Sequence, residues 1–275
     1  NWFQSDSKLV IILEYCPGGT LTELLDRDVY LPESVIRIFA ADILSALVYL
    51  HVNGYLFRDF DPHNILLDEN GILKLNDFCG AGSIGEKLDL SLINPDSYCY
   101  LAPELLSDEG IPSFASDLYS LGCLMYKMAT GFTPFDNDEQ KDILENIREL
   151  EPIKISICSS EFNDLVLGLL TKDPYERLTW IEVAKHPFWQ DILNKEMFGR
   201  IEDLTFPEQP DFEKHRPRKK ESTVFDFPLS RSLSLSLRQS YHFKKEKQEA
   251  EARAEEGAAN PQQSLTAIEK IRDAV

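Results

Sequence analysis

Two short apolar stretches, Ile65 to Leu67 and Ile72 to Leu75, are separated by Asp68-Glu69-Asn70-Gly71, a turn by composition. This pattern predicts a β-hairpin, and a hairpin fixes what stands at its two outer ends. On the entering side lie Asp59 and Asn64, within Phe57-Arg58-Asp59-Phe60-Asp61-Pro62-His63-Asn64; on the leaving side lies Asp77, within Asp77-Phe78-Cys79. Antiparallel pairing brings those ends together, so a carboxylate, an amide five residues later and a second carboxylate converge. Phosphoryl transfer asks for that set: one carboxylate to orient an attacking hydroxyl, and an amide and a second carboxylate to hold Mg²⁺ on phosphates.

The rest of the first 190 residues reads as helices around this hairpin. Lys8 to Tyr15 is a nearly continuous apolar run, predicted as a buried strand, and Pro17-Gly18-Gly19 breaks it before a short helix from about Thr20. Glu33 to about Asn53 places Val35, Ile36, Phe39, Ala40, Ile43, Leu44 and Leu47 on one wide face, and Asn53-Gly54 ends it. Ser116 to Thr130 is apolar enough to be central, and Asp142 to Leu150 and Phe162 to Leu170 follow as amphipathic helices.

FRDFDPHN resembles the protein-kinase catalytic loop, and Asp77-Phe78-Cys79 resembles the metal-binding triplet that follows it. Further matches fall in order: Ala102-Pro103-Glu104 resembles the end of the activation segment, Asp117 the carboxylate of the central helix, and Arg177 the partner of Glu104. SYCYLAPE and RLTWIEVAKHPFW are most similar to the Fused and Unc-fifty-one-like branch, and EYCPGGTLTELLDRD to its fourth, pseudokinase-like member and plant relatives. The resemblance implies a mainly α fold: a protein-kinase-like large lobe with small β-hairpins, the small lobe largely absent, and an extended C-terminal tail. The implied boundaries are 1–16 for the last small-lobe strand and hinge, 17–190 for the large lobe and 191–275 for the tail. It assigns Asp59, Asp61 and Asn64 to catalysis, Asn64 and Asp77 to a metal, and Glu14, Cys16 and Leu66 to nucleotide contact. ATP and Mg²⁺ are expected in the complete protein and not in this chain alone, because the glycine-rich loop and the phosphate-binding Lys would precede Asn1.

Two positions depart from the family pattern. Asp61 stands where a Lys would neutralise the transferring phosphoryl group, either as an inactivating change or as a surface carboxylate compensated by a basic residue elsewhere. Cys79 replaces a glycine and is expected to restrict Asp77. The expected function is therefore a pseudokinase scaffold acting through protein contacts, with an active serine/threonine kinase and a purely structural module as alternatives. The resemblance also implies a cytoplasmic, cytoskeletal setting, with axonemal or microtubule partners in a cilium or flagellum.

Charge and composition narrow the rest. Of the net −19, residues 1–200 carry 15 basic and 33 acidic side chains, a field that excludes nucleic acid as partner. Five scattered cysteines without a CxxC pair fit a reduced protein without structural zinc. The longest apolar runs, Leu9 to Leu13 and Leu121 to Met125, fall short of the roughly 20 residues of a bilayer span, so no membrane is expected. The chain shows no secretory signal and begins without Met, so a preceding segment is expected. After about Trp189 prolines, the basic Arg216 to Lys220 and a Leu/Ser alternation over Leu229 to Leu237 mark a tail that does not bury its own core. The basic cluster reads as a docking or localisation element or as a solvated charge run. The alternation reads as a strand for addition to another surface or as unstructured chain.

Overall fold

Helix α2 (Glu33–Val52) sets the frame. It buries Val35, Ile36, Phe39, Ala40, Ile43, Leu44 and Leu47 against α3 (Phe114–Thr130) and the strand β5 (Leu73–Leu75). The computed structural model describes residues 2–5, 7–107, 110–135, 143–189 and 206–207. By length and mean hydropathy, 1.8, α2 would also cross a bilayer. Arg37 and Asp42 interrupt its apolar pattern, so it does not stand out as an uninterrupted apolar run. Its apolar face is spent in the core, where Leu44 and Leu47 have no exposed surface.

Ahead of α2 lie β1 (Trp2–Gln4), β2 (Leu9–Ile11) and α1 (Leu21–Asp28). Thr20 and Glu23 form a reciprocal capping box at the start of α1. β1 and β2 pair antiparallel, with Trp2 opposite Ile11. The run from Lys8 to Tyr15 is not a buried strand: the strand covers three residues, and Leu9, Val10, Ile11, Ile12, Leu13 and Tyr15 are all exposed. A two-stranded ribbon has two faces, and both faces of β2 are exposed among the described residues.

After α2 the chain forms β3 (Tyr55–Leu56), β4 (Ile65–Leu67), β5 and β6 (Gly82–Ser83). β4 pairs with β5 in the expected hairpin, Ile65 opposite Leu75 and Leu67 opposite Leu73. Asp68 closes the turn by accepting the N–H groups of Asn70 and Ile72 at 2.8 and 2.9 Å, and Gly71 supplies the positive φ of 73°. β3 pairs with β6, so the chain entering the catalytic segment is tied to the chain leaving it.

The other helices are α4 (Ile143–Glu149), α5 (Ser160–Leu169) and α6 (Trp180–Lys185). Among the described residues the predicted helices form, with ends shifted by one or two residues. α3 begins at Phe114, since Ser113 and Ser116 make the capping box there. α3 and α5 approach closely at Gly122, where an added Cβ would stand 2.9 Å from the Leu169 Cβ.

The end of the activation segment is fastened to this helical body by Arg177, whose side chain is fully buried. Its guanidinium donates to both Glu104 carboxylate oxygens at 2.7 and 2.9 Å, and to the carbonyls of Ala115, Thr171 and Lys172. It also lies over the Tyr119 ring at 4.8 Å. Removing one partner of such a pair strands the other in a dry site. Arg177→Ala is expected to cost about 3–5 kcal/mol of unfolding free energy, measured by urea titration; a loss under about 1 kcal/mol, as for an exposed pair, would contradict the arrangement.

Candidate active site

The catalytic segment is held from beneath by Asp117, whose side chain is 1% exposed. Its carboxylate accepts the N–H of Phe57 at 2.8 Å and of Arg58 at 3.0 Å. A third contact runs to the ring of His51, 2.9 Å from Nε2, and Trp180 Nε1 donates to His51 Nδ1 at 2.8 Å. With Nδ1 accepting from the indole, Nε2 is the nitrogen that donates to Asp117. These bonds hold Arg58 at φ 69°, a backbone region its side chain disfavours. The Arg58 guanidinium then donates to the carbonyls of Ser83 and Glu86, both at 2.9 Å.

On this base Asp59 and Asn64 meet: Asn64 Nδ2 donates to Asp59 Oδ2 at 2.9 Å. Asn76 N donates to Asn64 O at 2.8 Å, and Asp77 follows one residue after that contact. Of the sequence-predicted trio, Asp59 and Asn64 are in direct contact and Asp77 lies next along the chain from the strand end that reaches them. Asp59 Oδ1 is buried and has no hydrogen-bond partner among the described residues. Burial, and then the charge of Asp61, push the Asp59 carboxyl above its ordinary range, against the opposing effect of neighbouring polar groups such as the Asn64 amide.

Asp61 lies next to it and is not a surface carboxylate: it is 6% exposed. Its compensation comes from hydrogen bonds. Oδ1 lies 2.9 Å from His63 N and 2.8 Å from His63 Nδ1, and Oδ2 accepts the Ser97 hydroxyl at 2.8 Å. Burial acts to raise its pKa, but these bonds outweigh it and hold the carboxyl below the usual range. Asp61 therefore caps the short turn Pro62–Asn64 and staples the activation segment at Ser97.

Cys79, which stands in place of a glycine and is expected to restrict Asp77, takes an ordinary backbone conformation and contacts that residue. It is exposed, is absent from the positive-φ residues, and donates its N–H to Asp77 Oδ1 at 3.2 Å. Asp77 itself takes the unusual backbone, φ 49°, which an Asp tolerates. The position that demands glycine is Gly80, where a Cβ would meet Ile93 Cδ1 at 2.6 Å and the Asp59 Cβ at 3.3 Å.

Glu14, Cys16 and Leu66 also fall together. Leu66 pairs with Lys74 across the hairpin and bridges to Thr20, and Lys74 Nζ reaches Glu14 at 3.2 Å. Cys16, half-buried beside them, has its thiol pKa raised by burial and by Glu14.

The residues fit a cation shared with a ligand rather than a protein-only cage. Among the described residues no group of three His, Cys, Asp or Glu side chains is placed to hold a metal. Asn64, spending its amide N–H on Asp59, has Oδ1 to offer, and the exposed Asp77 carboxylate supplies a second oxygen.

Sequence reasoning missed His51, Ser97 and Trp180. His51 had a signal: it continues the buried stripe of Leu44 and Leu47, and a lone imidazole on such a stripe requires buried partners. Ser97 and Trp180 had none, because their partners lie 36 and 129 positions away.

A hydrogen-bonded loop of this kind, with its carboxylate and amide beside a second carboxylate, defines a class. The chain belongs to the protein kinase family: residues 1–189 match the protein kinase domain. It is 38% identical over 218 residues to the serine/threonine-protein kinase RUNKEL of Arabidopsis thaliana, covering 77% of this chain and 15% of that protein. To the serine/threonine-protein kinase ULK4 of Mus musculus it is 35% identical over 229 residues, 72% of this chain and 18% of that protein. The mouse serine/threonine-protein kinase 36 is 34% identical over 206 residues, 74% of this chain and 15% of the relative. The resemblance to the Unc-fifty-one-like branch thus stands, and the chain spans less than a fifth of the length of these curated relatives.

The two neighbouring carboxylates predict opposite pH behaviour. The folded pKa of Asp61 is depressed, so its stabilisation is present above its unfolded value, about 3.9, and is lost as pH falls through the folded value. The folded pKa of Asp59 is raised, so its charge costs stability at neutral pH and that cost fades on acidification. Asp61→Ala is expected to lose about 2–3 kcal/mol at pH 7, with the deficit shrinking below pH of about 4, whereas Asp59→Asn gains stability at pH 7. Urea titrations across pH check both; a pH-independent Asp61 deficit would contradict the assignment.

Proposed function

We propose that the chain is the large lobe of a pseudokinase that works as a scaffold through protein contacts. The observation that carries this reading is Asp61: a buried carboxylate beside Asp59, spent on His63 and Ser97, at the position where the family pattern has a cation. At about 5 Å and an effective dielectric near 20, each charge unit is worth ~3 kcal/mol. Exchanging a positive for a negative charge then raises the barrier by ~6 kcal/mol, about four powers of ten in rate.

In the kinase family at large ATP and Mg²⁺ supply the phosphoryl group and its counter-charge. In this chain Asn64 and Asp77 would hold the metal, Asp59 would orient a hydroxyl, and Glu14, Cys16 and Leu66 would border the nucleotide. On this reading residues 1–16, where the structure has the paired strands β1 and β2 in place of a single strand, belong to a small lobe and its hinge, and 17–190 are the large lobe.

The partners in this proposal are cytoplasmic cytoskeletal proteins, microtubule-associated or axonemal, with nucleic acid and membranes as non-partners. The support is electrostatic: residues 201–275 carry 13 basic and 14 acidic side chains, with the cluster Arg216 to Lys220. A near-neutral segment with a basic cluster approaches acidic filaments that the acidic body avoids. Residues 208–275, with the basic cluster, the Leu/Ser alternation and the stretch Ser264 to Val275, which reads as a short amphipathic helix, lie outside the described residues.

Two measurements test the proposal. With Mg²⁺ and ATP, the full-length protein is expected to turn over at least about three orders of magnitude below the roughly 1–100 per second of ordinary kinases. Asp61→Lys with Cys79→Gly should raise that rate; an ordinary rate in the parent would sink the pseudokinase reading. Separately, deleting residues 208–275 should abolish co-sedimentation with microtubules, and unchanged co-sedimentation would assign docking to the lobe.

A further inference from the structure

Behind the catalytic segment three elements meet around His51. Its ring stacks on Phe114 at the start of α3, centroids 4.4 Å apart, and meets Trp180 at the start of α6 edge-on at 5.3 Å. Gly54, in the turn that leads from α2 into β3, stands at the rim with φ 80°. Phe206 and Pro207, well beyond the last helix, return to this place. Phe206 lies parallel to Trp180, 12° between planes and 6.0 Å between centroids, and edge-on to Phe114 at 5.6 Å. Pro207 Cγ would be 3.7 Å from a Cβ at Gly54, an ordinary packing contact.

We propose that Phe114, Trp180 and Gly54 form a docking slot for a Phe-Pro pair, and that the chain's own Phe206–Pro207 is its resident ligand, latching the following segment to the support of the catalytic loop. The chemistry of the slot favours this occupant. Two aromatic walls take a ring by offset and edge contact, and a bare glycine turn accepts the flat face of a proline. Proline's fixed φ lowers the ordering cost of binding the pair. The slot covers Trp180 and His51, and through Asp117 those side chains hold the N–H groups of Phe57 and Arg58. Occupancy is therefore coupled to the order of the catalytic segment, whether or not the site transfers phosphate. The sequence holds one other Phe-Pro pair, Phe227–Pro228, which has the chemistry to replace the first.

The test uses the full 275-residue chain and a dye-labelled peptide of residues 203–210. The double variant Phe206→Ala, Phe227→Ala, with neither resident ligand, is expected to bind the peptide saturably by fluorescence anisotropy. The parent, its slot already filled, should bind about tenfold or more weakly, because only the open fraction competes. A peptide with Ala in place of Phe should not bind either protein. In hydrogen exchange, the amides of Phe57 and Arg58 should be less protected in the double variant and regain protection with peptide. Phe206→Leu with Phe227→Ala, which keeps apolar volume in the slot, should bind between the two, giving a second reading if alanine disturbs the lobe. No peptide binding to either variant, or equal binding to variants and parent, would overturn the proposal.

Discussion

Asp117 is a carboxylate with almost no exposed surface, set in the first turn of α3 where unpaired N–H groups favour negative charge. Everything that makes the catalytic segment an ordered surface passes through it. Holding Arg58 in the left-handed region costs about 1–3 kcal/mol, and one hydrogen bond to a charged group contributes about 1.5–3 kcal/mol. Two such bonds, from Phe57 N and Arg58 N, outweigh the strain. The left-handed turn at Arg58 is in turn what allows its side chain to reach back to the carbonyls of Ser83 and Glu86. One buried acid thus ties a helix start, a strained loop and the beginning of the activation segment into one unit, and Arg177 with Glu104 fastens the segment's far end.

Within that frame positioning and charge are separate matters. Hydrogen bonds are short and directional, and Asp61 supplies three of them, keeping Ser97 and the turn at His63 in place. Coulomb interactions reach further and depend on sign. The same residue that orders the loop therefore adds negative charge beside Asp59, and the raised Asp59 pKa is partly its effect. A geometry suited to phosphoryl transfer and a field opposed to it coexist because they rest on different ranges of force.

The parts of this fold legible in the sequence are those written in short-range periodicity. The stripe from Val35 to Leu47, the Asp68–Gly71 turn and the apolar run of α3 specified their elements, because neighbours three, four or two positions apart decide them. Asp59, Asn64 and Asp77 were legible because a hairpin leaves their meeting little freedom. What escaped was set by distant contacts. Whether Lys8 to Tyr15 is buried depends on what covers the ribbon, which the run itself does not encode. Whether Asp61 is exposed depends on Ser97. The tolerance of Cys79 depends on the close approach falling one residue later, at Gly80 against Asp59 and Ile93.

The cations near the site sharpen the electrostatic argument. Arg58 is spent on two backbone carbonyls, Lys74 on Glu14 and Asp68, and Arg177 on Glu104. None of these three is available to offset Asp59, Asp61 and Asp77 together. Releasing Arg58 would give up the bonds that tie β6 to the loop; releasing Lys74 would unpair the residues at the edge of the nucleotide region. Counter-charge for a bound phosphate must therefore arrive with the ligand, as metal ions, or from a cationic group on another segment or another protein. On the proposed scaffold reading, that charge balance leaves the lobe to act through the shape of its surface rather than through a bound phosphate.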